Sequence, residues 1–206
     1  MWVNEKKINR LFLYWLGCSL FLVYLAILIG GLTRLTNSGL SITEWQLLKG
    51  ILPPLNDQTW KLYYDEYKKI PQYKLLNFDM NLDEFKIIFY WEYVHRIIGR
   101  LIGLFFLVPL IIFYLSQKIK KEYLNMCFLI FILIIFQGIM GWYMVKSGLV
   151  NDITVSHYRL SIHLTTAIII ISIIFWLIKN VSSNNNKVFF KYFKDNIFFQ
   201  ILIIII

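Results

Sequence analysis

Along the chain, long stretches free of Asp, Glu, Lys and Arg alternate with charged segments. The four longest stretches are Leu11 to Thr33 with 23 residues, Leu101 to Gln117 with 17, Tyr123 to Val145 with 23 and Leu160 to Ile178 with 19. A helix rising about 1.5 Å per residue needs about 20 such residues to cross about 30 Å of hydrocarbon. Four membrane spans are therefore expected. A fifth stretch, Asn196 to Ile206, has 11 residues and would reach about halfway across at the same rise, so the chain is read as ending inside a fifth span. The fold class expected is all-α integral membrane, an antiparallel four-helix transmembrane bundle plus the start of a fifth span.

The expected organisation is an N-terminal segment 1–10, a first span 11–33, an outer loop 34–89, a second span 90–116 and a loop 117–122. A third span 123–145, an outer loop 146–156, a fourth span 157–178, a loop 179–195 and the truncated fifth span 196–206 follow. The first stretch exceeds the roughly 7–15 apolar residues of a signal-peptide core, and no small-x-small cleavage site follows it.

Composition agrees with the pattern. Of 206 residues, 58% are hydrophobic and only 16% charged, whereas a soluble domain carries roughly a quarter charged residues. The net charge of +9 does not point to nucleic acid, because the basic residues flank the apolar runs and form no continuous stripe. They give orientation instead. Lys6, Lys7, Arg10, Lys118, Lys120, Lys121, Lys179, Lys187, Lys191 and Lys194 share their segments with just three acids, Glu5, Glu122 and Asp195, while nine acids occupy the alternate segments. The positive-inside rule then places the N-terminus and the second and fourth loops in the cytoplasm. Cys18 and Cys127 both fall inside spans, so no outer-loop disulfide framework is expected and both read as small apolar packers.

The outer loop from Arg34 to about Phe89 carries two capping-box helix starts, Ser41 with Glu44 and Asn81 with Glu84, and Pro53, Pro54 and Pro71 interrupt what lies between. Two or three short amphipathic helices over the outer mouth are expected, without a core of their own.

Candidate chemistry lies within the spans. The second stretch is too short to cross, so its helix must extend outward through Glu92, His95, Arg96 and Arg100. Ionisable groups at that depth face a bundle interior, a cavity or each other. At a helical step of four, Glu92, Arg96 and Arg100 form one stripe and His95, Gly99 and Gly103 its neighbour. The two glycines leave a slot suited to a flat, bulky ligand. Arg159, His163 and Ala167 repeat the order of basic residue, imidazole and small residue on the fourth span. On diagonal helices of an up-and-down bundle, His95 and His163 would face one another, and two neutral imidazoles are a common axial pair for haem iron. The arginines would pair propionates or screen the carboxylate.

Structural alternatives stand beside each reading. An intramembrane histidine can be an interhelical hydrogen-bond contact, and Glu92 with Arg96 a buried ion pair. Gly99-x-x-x-Gly103 can be a helix-packing notch, as can Gly30–Gly31, Gly138 and Gly141. Gln137 can be interhelical glue, and His157 reads as a surface residue at the rim.

Four strings carry a family resemblance. They are Gly30-Gly-Leu-Thr-Arg-Leu-Thr-Asn-Ser-Gly-Leu-Ser-Ile-Thr-Glu-Trp45, Glu84-Phe-Lys-Ile-Ile-Phe-Tyr-Trp-Glu-Tyr-Val-His-Arg-Ile-Ile-Gly-Arg100, Gln137-Gly-Ile-Met-Gly-Trp-Tyr-Met-Val-Lys-Ser-Gly-Leu149 and Val155-Ser-His-Tyr-Arg-Leu-Ser-Ile-His-Leu164. With them the chain resembles haem A synthase, of the alphaproteobacterial and mitochondrial type, over about residues 8–180. The resemblance implies eight spans in two four-helix halves and oxidation of the C8 methyl of haem O to a formyl group, giving the haem A of terminal oxidases. It further implies that Glu92 matches the carboxylate needed for catalysis and that His95 and His163 match the N-terminal pair holding the substrate haem. A second histidine pair, for a haem b, belongs to the C-terminal half of the family pattern, which this sequence lacks beyond the start of the fifth span. The outer-loop cysteine pair of the Gram-positive type is absent.

The implied partners are haem O and haem A, the lipid bilayer, and through the pathway haem O synthase and oxidase assembly factors; a homo-oligomer is compatible, and no nucleic acid is expected. The implied location is the bacterial cytoplasmic (inner) membrane, ahead of the mitochondrial one. Two other functions share these features: a bis-histidine membrane b-type cytochrome, and a non-catalytic truncated fragment.

Overall fold

A computed structural model of the chain describes residues 5–44, 52–151 and 153–183. Among these residues it is all-helical, with no strand. Four long helices are α1 (Glu5–Leu35), α4 (Leu82–Ser116), α5 (Lys121–Asn151) and α6 (His157–Ser183), and two short ones, α2 (Asp57–Tyr67) and α3 (Pro71–Leu76), lie between α1 and α4. All four long helices contain a stretch long and apolar enough to cross a membrane. Large apolar side chains such as Phe21, Leu104, Ile132 and Phe175 are exposed on them, as expected of a lipid-facing surface. The expected fifth span, 196–206, lies outside the described residues.

The helix ends follow from local chemistry. At the start of α4, Asn81 Oδ1 accepts from the amides of Asp83 and Glu84, each at 3.0 Å, while Glu84 Oε2 accepts from the Asn81 amide at 2.8 Å. This is the capping box read from the sequence, and it starts the helix well before position 90. The other expected box does not form. Residues 42–44 are not helical, and the Ser41 hydroxyl is engaged elsewhere. α1 ends in a Schellman turn: Asn37 has φ 53°, the Ser38 amide donates to Thr33 O at 2.9 Å and the Asn37 amide to Arg34 O at 3.2 Å. Asn tolerates this left-handed conformation better than most residues, and the turn sends residues 38–42 back toward α4.

The chain divides into two compact units. One draws on α1 up to Tyr24, α4 from Ile102, α5 up to Ile134 and α6 from Thr165; the other contains Leu25–Leu101 and Ile135–Leu164. In the first, Phe12, Leu16, Phe106, Leu110, Cys127, Ile130 and Ile174 are fully buried. Lipid tails are as apolar as these side chains, so packing and polar contacts, more than water exclusion, hold such helices together. One polar contact is specific. Pro109 lacks the amide that would have bonded to the Phe105 carbonyl within α4, and the Trp15 indole Nε1 of α1 donates to that carbonyl at 3.1 Å.

The second unit holds the segment between α1 and α4. Its core joins α2 and α3 to the N-terminal turns of α4: Trp60 meets Phe89 at 5.0 Å between ring centroids and Tyr67 meets Phe85 at 5.1 Å, with Leu40, Ile42, Met144 and Val155 in the same cluster. The short helices thus share a core with the long ones, which is why about 55 residues broken by prolines need none of their own. Buried Gln72 of α3 donates to Asn37 O at 3.0 Å and so braces the turn that ends α1.

Candidate functional site

Glu92 sits on α4 in the second unit and is 3% exposed. A buried carboxylate without partners would cost several kcal/mol, so its surroundings must supply donors. Both oxygens are supplied. Oε2 accepts from Ser41 Oγ at 2.7 Å and from the Ile42 amide at 2.9 Å; Oε1 accepts from Arg96 Nε at 3.0 Å and Nη2 at 2.5 Å. Arg96 Nη2 also donates to Ile42 O at 3.0 Å, which closes a ring between α4 and the segment after α1. Of the two roles the sequence leaves open to Arg96, the geometry gives it the one of screening the carboxylate.

Three residues beyond Glu92, His95 turns the nitrogen-bearing edge of its ring toward α1. A Cβ placed on Gly30 would lie 2.8 Å from His95 Cε1, 3.3 Å from Nδ1 and 3.5 Å from Nε2. Thr33, a turn further along α1, has its hydroxyl 2.8 Å from Ile29 O and 3.3 Å from Trp91 O of α4. His163 on α6 is in the same unit, with its Cε1 3.6 Å from a Cβ placed on Gly141 of α5. The Nδ1 atoms of both histidines are buried without a hydrogen-bond partner. Such orphans are rare in folded proteins and call for a ligand or other partner.

The remaining candidates are placed as follows. Gly99 and Gly103 have nothing within 4 Å of an added Cβ, and Gly103 belongs to the other unit. The glycine in contact with His95 is therefore Gly30, because a helical side chain leans toward its own N-terminus and away from the residues four and eight positions later. Arg100 is half-buried. Arg159 donates to Ser147 Oγ and lies over the Tyr143 ring at 4.7 Å, so it is tied to α5. His157 is exposed, with its Nδ1 3.4 Å from Arg34 Nη2. Gln137 Oε1 is buried without a partner.

Sequence reasoning missed the Ile42 amide and the contacts of Ser41 and Gly30, reading the first of these two as a helix cap and the second as a packing notch. Ser41 carries a capping signal through Glu44, and its actual partner is 51 positions away. Nothing in local spacing announces such a contact.

The donor set fits an iron porphyrin. Among the described residues no group of three or more His, Cys, Asp or Glu comes together, so a bare structural metal site of the three- or four-ligand kind has no counterpart here. Two histidines each have a buried Nδ1 without a hydrogen-bond partner, and imidazole nitrogen is a donor that haem iron accepts.

Comparison with known proteins gives the family. A family model with the description "Cytochrome oxidase assembly protein" (COX15-CtaA) matches residues 13–206. A protein named Heme A synthase from Pelagibacter ubique is 52% identical over 181 residues, covering 88% of this chain and 54% of that protein. Heme A synthases of Flavobacterium johnsoniae and Rhizobium rhizogenes are 44% identical over 174 residues and 46% identical over 184, covering 84% and 89% of this chain and 51% and 50% of theirs. The chain spans about half the length of these curated relatives, and no solved structure matches it. The resemblance carried by four sequence strings is thereby borne out, and the chain belongs to the haem A synthase family.

Proposed function

We propose that this chain is the substrate-haem half of a haem A synthase, oxidising the C8 methyl of haem O to a formyl group to give haem A for a terminal oxidase. Within the family just established, the observation that carries this reading is the presence, in one compact unit, of a fully tethered, buried carboxylate and two histidines whose Nδ1 atoms are buried and unpartnered. His95 and His163 would hold the haem iron. Iron in that position supplies the redox chemistry when the ligand is bound, and the chain's own residues bind, orient and hold charge.

Glu92 then acts as a fixed anion. With four donors committed to its two oxygens, its orientation is set before any ligand arrives, and preorganised charge is what stabilises positive charge developing as a methyl hydrogen leaves. This supports an electrostatic role over that of a mobile base. Arg96 keeps the carboxylate in place, while Arg100 and Arg159 are the basic residues assigned to the propionates.

The location fits the bacterial inner membrane, crossed several times, with the N-terminus in the cytoplasm by the charge bias of the loops. By the family resemblance a haem b would belong to the half that this chain does not span, and haem O synthase and oxidase assembly factors are the partners that would deliver substrate and take product.

The test is chemical. The chain is expressed in a strain lacking haem A synthase, and extracted haems are separated by chromatography. Appearance of haem A is the expected result. Bound but unaltered porphyrin would make the chain either a membrane cytochrome or a non-catalytic fragment, and the absence of bound haem would remove the two histidines from their assigned role.

A further inference from the structure

The two histidines are seated differently, and the difference concerns the helix that precedes each. Behind His163, a Cβ on Gly141 would stand at 3.6 Å from the ring, an ordinary van der Waals contact. Behind His95, a Cβ on Gly30 would stand at 2.8 Å from Cε1, closer than such atoms approach, with both ring nitrogens within 3.5 Å of the same point. At the neighbouring Gly31, nothing lies within 4 Å. Two adjacent glycines in one helix therefore have unlike surroundings, and just one of them abuts a ring whose Nδ1 is buried and unpartnered.

We infer that Gly30 is the positioning residue for the His95 imidazole, setting from α1 the angle at which that ring meets its ligand. An added methyl at position 30 must displace either α1 or the ring. α1 is held against α4 by the Thr33 hydroxyl near Trp91 O, and its end is held by the Schellman turn that Gln72 braces. The ring has two side-chain torsions and no hydrogen bond at Nδ1, and its hydrogen bond to the Ala26 backbone ties it to α1 itself, so nothing on another helix resists the push. It is the ring that yields, and with it the direction of the nitrogen lone pair that would bind iron. The inference rests on the reading of His95 as a haem ligand.

The experiment compares the haem-loaded wild-type chain with Gly30→Ala, Gly31→Ala and Gly141→Ala, purified from membranes in detergent. Haem content per chain and the low-temperature electron paramagnetic resonance of the ferric haem are measured. Gly31→Ala and Gly141→Ala should match wild type in both. Gly30→Ala should lose haem affinity by about ten- to a hundredfold, the usual penalty for displacing a group that orients a metal ligand, or show a displaced resonance for the haem it keeps.

A second arm separates positioning from folding. In His95→Gly, imidazole added in solution replaces the missing ring, and the double variant Gly30→Ala/His95→Gly should then take up haem as well as His95→Gly does. The inference is overturned if Gly30→Ala keeps wild-type content and resonance, or if it lowers haem uptake equally in the imidazole-rescued background. A wild-type chain that binds no haem would instead overturn the reading of His95 itself.

Discussion

Replacing Ser41 by Ala removes one of the four donors to Glu92 and leaves its carboxylate oxygen with the Ile42 amide alone. Ser41 is 1% exposed and Glu92 is 3% exposed, so bulk water cannot take the hydroxyl's place without opening the packing around them. A hydrogen bond to a charged group contributes about 1.5–3 kcal/mol, and burial puts this one toward the upper part of that range. If the bond fixes the carboxylate for catalysis, a loss of about 1.5–3 kcal/mol corresponds to roughly a ten- to hundredfold slower turnover, with substrate binding by the histidines little changed. The assay is haem A formed per bound haem, with the free energy of unfolding in detergent measured in parallel. A double-mutant cycle with Glu92→Gln isolates the pair: the two substitutions should couple by more than about 0.5 kcal/mol, the scatter seen for independent sites. Additive effects, or a Ser41→Ala chain with wild-type turnover and stability, would refute the argument that this hydroxyl acts through Glu92.

Other expectations follow from the same contacts. Arg96→Lys keeps the charge but loses the planar fork that reaches Glu92 and the Ile42 carbonyl together, so it should destabilise the chain by about 1–3 kcal/mol, read from unfolding in detergent. His95→Ala and His163→Ala should each abolish the bis-imidazole spectrum, whereas His157→Ala, at an exposed position beside Arg34, should leave it intact. In the segment between α1 and α4, burial raises the Tyr67 phenol, and burial with the Tyr73 hydrogen bond pushes Tyr64 up to about 12. Both ionise near pH 10 in an unfolded chain. Their contribution to stability is thus complete below about pH 10 and is lost as pH rises toward 12, which a tyrosinate titration alongside unfolding would show; Tyr64→Phe with Tyr67→Phe should flatten that decline.

The parts of this molecule that depend on short-range chemistry could be read from its residues. Charge-free runs marked the four long helices, and Asn81 with Glu84 marked the start of α4, because a cap and its partner lie within one turn. Glu92, Arg96 and His95 were singled out because ionisable groups are costly at that depth, a cost that holds whatever the fold. What escaped depended on contacts across the chain. Ser41 has the same spacing to an acid as Asn81 does, yet the Schellman turn at Asn37 carries it to Glu92 instead of into a helix. Gly99 and Gly103 share a face with His95 by periodicity, but the side chain leans the other way, and its neighbour comes from α1.

Pro109 has an effect on a helix other than its own. By withholding an amide from α4 it exposes the Phe105 oxygen, and that oxygen receives the Trp15 indole. In hydrocarbon, an indole hydrogen that misses its acceptor forfeits several kcal/mol. Sliding α1 by one residue along α4 would do that. A residue known for loosening helices therefore works as a detent, and Pro109→Ala would close the ladder of α4 while letting the neighbouring rod slip out of step.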